Sequence, residues 1–316
     1  MKRFVWVISM VLLFTVGCGR QQAGKWRILV SPKGLSHSFW VTVKHGAEDA
    51  GKAYDVDVIW KGPAVETDIA GQIAILEDYI NKKVDAIVLA ACDTKALIPV
   101  VEKAHKAGIK IITIDSGLDS DIPLSFIATD NVAAAEKAAA VLARLIGGHG
   151  DVACIPFVPG AGTSIMRENG FKKGLKKYPN IRLVAVQYSQ SDVATAMNVM
   201  EDILTAHPDL SGVFAANEAG TIGVVQALLS RNKAGGKVKV VGFDAAKNEI
   251  EALQNGDVQA LIVQNPYKMG YKGVEMAVAA LHGKTIPRRI DTGVYVVTKD
   301  NLNSPQIQKL LGPMLQ

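Results

Sequence analysis

The chain is 316 residues long, 49% hydrophobic and 21% charged, which is enough for two ordinary domains with sizeable cores and excludes a disordered chain. Its 35 Lys and Arg against 30 Asp and Glu give a formal charge of +5. No basic block stands out, so neither a nucleic-acid nor an anionic-membrane surface is implied.

Lys2 and Arg3 precede an apolar run from Phe4 to Phe14, followed by small residues up to Cys18. A basic start, a greasy stretch too short to span a bilayer comfortably and small residues before the cut predict a signal peptide over residues 1–17. Val16, Gly17 and Cys18 resemble the lipobox of bacterial lipoproteins, although Thr15 departs from the usual Leu. Cys18 is therefore expected to carry the lipid, with residues 18–25 as a tether. An ordinary signal with an incidental cysteine is the alternative. Both readings place the mature protein outside the cytoplasm, with a formal charge of +3 once Lys2 and Arg3 are gone.

Beyond the tether, apolar strand candidates alternate with helical stretches. The strands read RILVS, VDVIW, AIVLAA, KIITID, FIATD, VACIPF, RLVAVQY, GVFAAN, VKVVGFD and QALIVQ. Most are separated by helical patterns: Phe39 to Tyr54, Ala70 to Asn81, Leu97 to Ala107, Val132 to Ile146, Thr163 to Tyr178, Ala194 to Ala206, Thr221 to Ser230 and Lys247 to Asn255. Near-continuous apolar strands between amphipathic helices predict parallel sheets covered on both faces, an α/β protein.

The pattern repeats. HGAEDAG with Gly46 recurs as NGFKKGL with Gly170, VLAACD ending at Asp93 recurs as VFAANE ending at Glu218, and ITID ending at Asp115 recurs as VGFD ending at Asp244. The shifts are 124, 125 and 129 residues in the same order, which predicts two similar doubly wound lobes. Ligands of such lobes bind outside the carboxyl ends of the strands, so those ends carry the functional candidates. Cys92 and Cys154 sit in apolar runs and are expected to be buried free thiols.

The strand ends exclude several chemistries. The six histidines are scattered, with no H-x-x-x-H pair and no CxxC, so no metal site or cofactor is expected. GAGTS from Gly160 to Ser164 is neither a dinucleotide fingerprint nor a P-loop, and no G-x-S-x-G elbow is present, so no enzyme is expected either. What remains is Asp115, Arg167, Asn217, Asp244 and Gln264 beside Phe39 and Trp40. Planar bidentate groups next to aromatic faces suit the vicinal hydroxyls and C–H faces of a sugar. Each has a structural alternative: Asp115, Asp244 and Asn217 as helix caps, Arg167 as a surface partner of Glu168, Gln264 as a backbone prop, and Phe39 or Trp40 as packing residues.

SHSFW with HGAEDAG, AGIKIITIDS, IATDN, GAGTSIMRENGF, VFAANE, VVGFD and VQNP, in this order, resemble the periplasmic sugar-binding proteins of ABC transporters of the ribose-binding type. The resemblance spans the mature chain. It implies that Phe39 and Trp40 stack on the sugar with His37 nearby, and that Asp115, Arg167, Asn217, Asp244 and Gln264 bind hydroxyls. It also implies two lobes joined by a three-stranded hinge, one of residues 26–129 with 265–291 and the other of 130–264 with 292–316. Cys92 and Cys154 then fall in different lobes.

Two departures stand out: Ser116 follows Asp115 where ribose-specific members carry Arg, and Ser191 replaces a further stacking aromatic. The pocket is thereby expected to lose a charged fork and an aromatic face, leaving another monosaccharide or a polyol open. The expected function is a monomeric, lipid-anchored solute-binding component that delivers the sugar to an ABC permease with its ATPase. A module presenting the sugar to a chemoreceptor or sensor kinase is the alternative.

Overall fold

A computed structural model describes residues 24–314; the expected signal peptide and Cys18 lie outside the described residues. The chain runs β1 (Arg27–Ser31), α1 (Ser38–Tyr54), β2 (Asp57–Trp60), α2 (Ile69–Asn81), β3 (Ala86–Leu89), α3 (Ile98–Lys106), β4 (Lys110–Ile114) and β5 (Ser125–Ala128). It continues through α4 (Asn131–Leu145), β6 (Gly150–Ile155), α5 (Gly162–Leu175), β7 (Ile181–Val186), α6 (Val193–Ala206), β8 (Gly212–Ala215), α7 (Glu218–Ser230), β9 (Lys239–Phe243), α8 (Lys247–Asn255) and β10 (Ala260–Val263). It ends with α9 (Pro266–Leu281), β11 (Arg289–Asp291), β12 (Tyr295–Val297) and α10 (Pro305–Leu311).

These elements make two six-stranded sheets, ordered β11-β5-β4-β3-β1-β2 and β12-β10-β9-β8-β6-β7. The two orders are the same doubly wound pattern, with β1, β3 and β4 answering to β6, β8 and β9. Central strands such as β3, β8 and β10 are buried at every position, as strands covered by helices on both faces must be.

The chain crosses between the sheets three times: from β5 into α4, from β10 into α9, and from β11 into β12. The last crossing corrects the expectation of purely parallel sheets, because β12 pairs antiparallel with β10 while β11 is parallel to β5. The two sheets present their carboxyl ends to each other, so a segment that leaves one sheet and runs straight on enters the other against its strands. Thr129 ties the first and last of these crossings together, its hydroxyl donating to the Gly293 carbonyl at 3.3 Å and its carbonyl accepting from Arg289 at 3.1 Å.

Glycine lets α1 and α9 meet backbone to backbone. A Cβ on Gly46 would overlap the Tyr267 carbonyl, and one on Gly270 would overlap the Val43 carbonyl. In the second lobe Gly170 and Gly174 play the same part, packing α5 on Val132, Ala135 and Ala139 of α4. Cys92 and Cys154 are free and buried, one in each lobe. Burial pushes the Cys92 thiol up to about 12 and the Cys154 thiol up as well, so both are held as inert thiols.

Gly270→Ala is expected to destabilise the protein by roughly 1–3 kcal/mol, the usual cost of overpacking a close contact. A lower urea midpoint with an unchanged slope is the expected reading.

Candidate functional site

The carboxyl ends of β1, β4, β6, β8, β9 and β10 converge on one cavity of about 270 Å³ between the lobes. It is lined by all eight residues expected from the sequence: His37, Phe39, Trp40, Asp115, Arg167, Asn217, Asp244 and Gln264. Lys33, Glu66, Phe157 and Glu218 line it too.

Backbone strain aims the two acids. Asp115 and Asp244 end β4 and β9, the equivalent strands of the two lobes, and both have left-handed backbones with φ of 53° and 86°. Asp tolerates that region better than most side chains, yet it remains costly there. Neither carboxylate caps the helix that follows. Asp115 Oδ2 lies 3.1 Å from Lys33 Nζ, and Asp244 Oδ1 accepts from Gln264 Nε2 at 2.7 Å.

Arg167 is buried, which excludes a surface pair with Glu168. Its Nε donates to Asn131 Oδ1 at 2.8 Å and its Nη1 to the Ala216 carbonyl at 2.7 Å, while the guanidinium lies 3.6 Å from the centre of the Phe243 ring. The fork is thus held in place with further N–H donors of its five to offer. Asn217 does cap α7, accepting from the Gly220 amide at 3.0 Å, but it also lines the cavity and donates to Ser191 Oγ at 2.8 Å. Gln264 serves Asp244 rather than the backbone.

On the other wall, Trp40 packs edge-on to Phe39 with ring centres 4.9 Å apart. Its indole N–H donates to Glu66 Oε1 at 2.8 Å, and His37 Nδ1 stands 3.6 Å from the same oxygen. Lys33 completes the wall, 3.7 Å from Glu66 Oε2 and donating to Thr163 Oγ1 of the second lobe at 3.0 Å. Burial alone would lower its pKa, but the Asp115 and Glu66 carboxylates outweigh that and raise it, so the ammonium stays charged. Burial likewise opposes ionisation of Glu66, and Lys33, His37 and Trp40 overcome it, holding the carboxyl well below its usual range.

Sequence reasoning did not single these residues out. Lys33 and Phe157 stand two residues beyond β1 and β6, where the strand-end rule reaches them, and Glu66 lies in the loop after β2, a strand end left unread. Among the described residues no group of three or more His, Cys, Asp or Glu is arranged to hold a metal ion.

Two buried acceptors, Glu66 Oε2 and Gln264 Oε1, have no hydrogen-bond donor, and Asp115 Oδ2 has only the Lys33 ammonium as an ion-pair partner. Unpaired buried acceptors are expensive, so the site is chemically set for a ligand bearing several O–H donors.

A sequence profile of the periplasmic binding protein domain matches residues 28–285. The D-allose-binding periplasmic protein of Escherichia coli is 34% identical over 265 residues, covering 81% of this chain and 85% of that one. The ribose import binding protein of Bacillus subtilis is 29% identical over 311 residues, 95% of this chain and all of its own. Among solved structures, a carbohydrate transporter solute-binding protein from Agrobacterium radiobacter in complex with D-arabinose superposes with a TM-score of 0.88 at 38% identity, covering 91% of this chain and 99% of that one.

Burial pushes the Asp244 carboxyl up to about 6, against the opposing pull of Arg167 and Gln264. Folding therefore holds a proton on it between 3.8 and about 6, and the free protein loses stability as pH rises through that window. Asp244→Asn is expected to stabilise the free protein by up to about 3 kcal/mol above pH ~6 and to make no difference below pH ~4. Urea unfolding across that range checks the sign.

Proposed function

We propose that this chain, which belongs to the periplasmic binding protein family, is the extracytoplasmic solute-binding component of an ABC importer and closes its two lobes on a monosaccharide or related polyol. The family is one of binding proteins, not enzymes. The observation that carries the sugar reading is the pairing of donor-starved acceptors with held donors. Glu66, Asp115 and Gln264 offer oxygens to ligand hydroxyls, and Arg167 offers N–H groups to ligand oxygens. Phe39, Trp40 and Phe157 supply flat apolar faces in the same cavity. The similar proteins are named for ribose and allose, and the Agrobacterium complex holds D-arabinose, all compact polyhydroxylated rings.

The lobes are closed on this cavity. The Thr94 amide of the first lobe donates to the Gly160 carbonyl of the second at 3.1 Å, and Lys33 reaches Thr163. A ligand that touches Asp115 and Lys33 on one side and Arg167, Asn217 and Asp244 on the other gains both sets of bonds only in this state, so binding favours closure. The closed form is then what a membrane permease distinguishes from the empty protein. In this reading Cys18 is acylated and tethers the protein to the membrane, with residues 18–25 as the leash.

Calorimetric titration with pentoses, hexoses and polyols is expected to give one tight, one-to-one partner. Arg167→Ala should weaken it by about 1.5–3 kcal/mol, the worth of a charged hydrogen bond, or roughly 10- to 150-fold in Kd. Folded protein that binds nothing in the panel would remove the sugar reading, and unchanged affinity in Arg167→Ala would remove the assignment of that residue. For the tether, Cys18→Ser is expected to move the protein from the membrane fraction to the soluble one.

A further inference from the structure

The first helix of the first lobe begins without a cap of its own. His37 occupies the N-cap of α1 with an extended backbone but makes no side-chain cap hydrogen bond, and the first turn carries no acidic residue. Helix N-termini leave several N–H groups without an internal partner and carry partial positive charge. Here two of them are met from the other lobe: the Ser38 amide donates to Glu218 Oε1 at 3.0 Å, and the Phe39 amide donates to Glu218 Oε2 at 3.1 Å.

Glu218 is itself the first residue of α7, so its carboxylate is buried between two helix N-termini, its own and that of α1. The repeat shows that this arrangement is not simply what the position dictates. Asp93 is the equivalent acid of the first lobe, and it turns inward to its own chain, accepting from the Lys95 and Ala96 amides at 2.8 Å each. The two acids close different structures: one a local turn, the other a gap between lobes.

We infer that Glu218 is a positioning residue for capture, a cap supplied by the second lobe to the first helix of the first lobe only when the lobes are together. The inference rests on the closing, sugar-binding reading above. Phe39 carries one of the two capped amides and lines the cavity, so the same contact that latches the lobes sets its aromatic ring in place. Phe39, Glu218, Asp244 and Gln264 line both the main cavity and a second one that runs to Ala246, Pro266 and Met314. Opening would release both amides and the carboxylate to water together.

Amide hydrogen exchange read by NMR on the purified protein, with and without the sugar identified by titration, tests the latch. In the sugar-bound, closed parent, the Ser38 and Phe39 amides are expected to be protected, more strongly than in the sugar-free protein. In Glu218→Ala their exchange should quicken at least tenfold while amides in the later turns of α1 are unchanged, and Glu218→Gln, which keeps one acceptor oxygen, should fall between. Equal exchange at Ser38 and Phe39 in all three proteins would overturn the inference. A second arm measures release of the sugar identified by titration: Glu218→Ala should release it about ten- to a hundredfold faster, with Glu218→Gln in between, whereas an unchanged release rate would overturn the role in capture. A parent that bound no sugar but protected the Ser38 and Phe39 amides, with Glu218→Ala exposing them, would leave the latch standing and remove the sugar reading alone.

Discussion

Lys33 is 3% exposed, and an ammonium taken that far from water is tolerated only because carboxylates from two separate loops converge on it. Much of the first-lobe wall follows from this one charge. Holding Lys33 requires Glu66 to be ionised and in place; Glu66 in turn fixes the Trp40 indole and draws His37 to the same oxygen. The loop after β1, the loop after β2 and the first turn of α1 are thereby locked to one another by a shared ion cluster rather than by apolar packing. Thr163 completes the ammonium's contacts from the second lobe, so the arrangement is finished only when the lobes meet.

The second wall solves the same problem differently. Equivalent strand ends place Asp115 and Asp244 in similar strained turns, but Asp115 has a cation at 3.1 Å whereas Asp244 receives a neutral amide from Gln264. The Asp244 carboxyl is raised because its burial, with the charges of Glu218 and Asp115 nearby, outweighs the Arg167 guanidinium and the Gln264 amide. A ligand hydroxyl donated to Asp244 would favour the ionised carboxylate and supply the missing compensation. The free protein thus carries electrostatic cost in the lobe that also provides the Arg167 fork and the Asn217 amide, and ligand binding can draw on its relief.

The alternation of strands and helices and the duplication of the lobes were legible because buried parallel strands read as apolar runs and because three motifs recur in order. The pieces that escaped are short or interleaved with small residues. Helix α9 buries Met269, Val274 and Val278 with Gly270, Gly273 and Ala277 between them, α10 is only seven residues long, and β11 and β12 are three-residue strands with largely uncovered positions. Of the site, the residues at strand ends were accessible through the rule that places ligands there, joined to a family resemblance. Lys33 sits at a strand end that this rule reaches, but its meaning, like that of Glu66 and Glu218, lies in partners 33 to 180 positions away, a relation that local pattern does not carry.

The sequence departures also read differently once these partners are known. Ser116, taken as the loss of a positive fork beside Asp115, is buried with its hydroxyl unpaired, while the cation beside Asp115 comes from Lys33 in the opening loop. Ser191, taken as the loss of an aromatic face, accepts the Asn217 amide and fixes its orientation, while Phe157 brings an aromatic ring to the cavity from the end of β6. Charge and apolar surface are both restored, but their geometry is not. A lysine is a compact point charge where an arginine offers a rigid planar fork, and it approaches Asp115 from the first strand instead of from the neighbouring residue. The pocket therefore keeps the chemistry of hydroxyl recognition, with the cation and one aromatic face supplied by Lys33 and Phe157 rather than by the residues at 116 and 191.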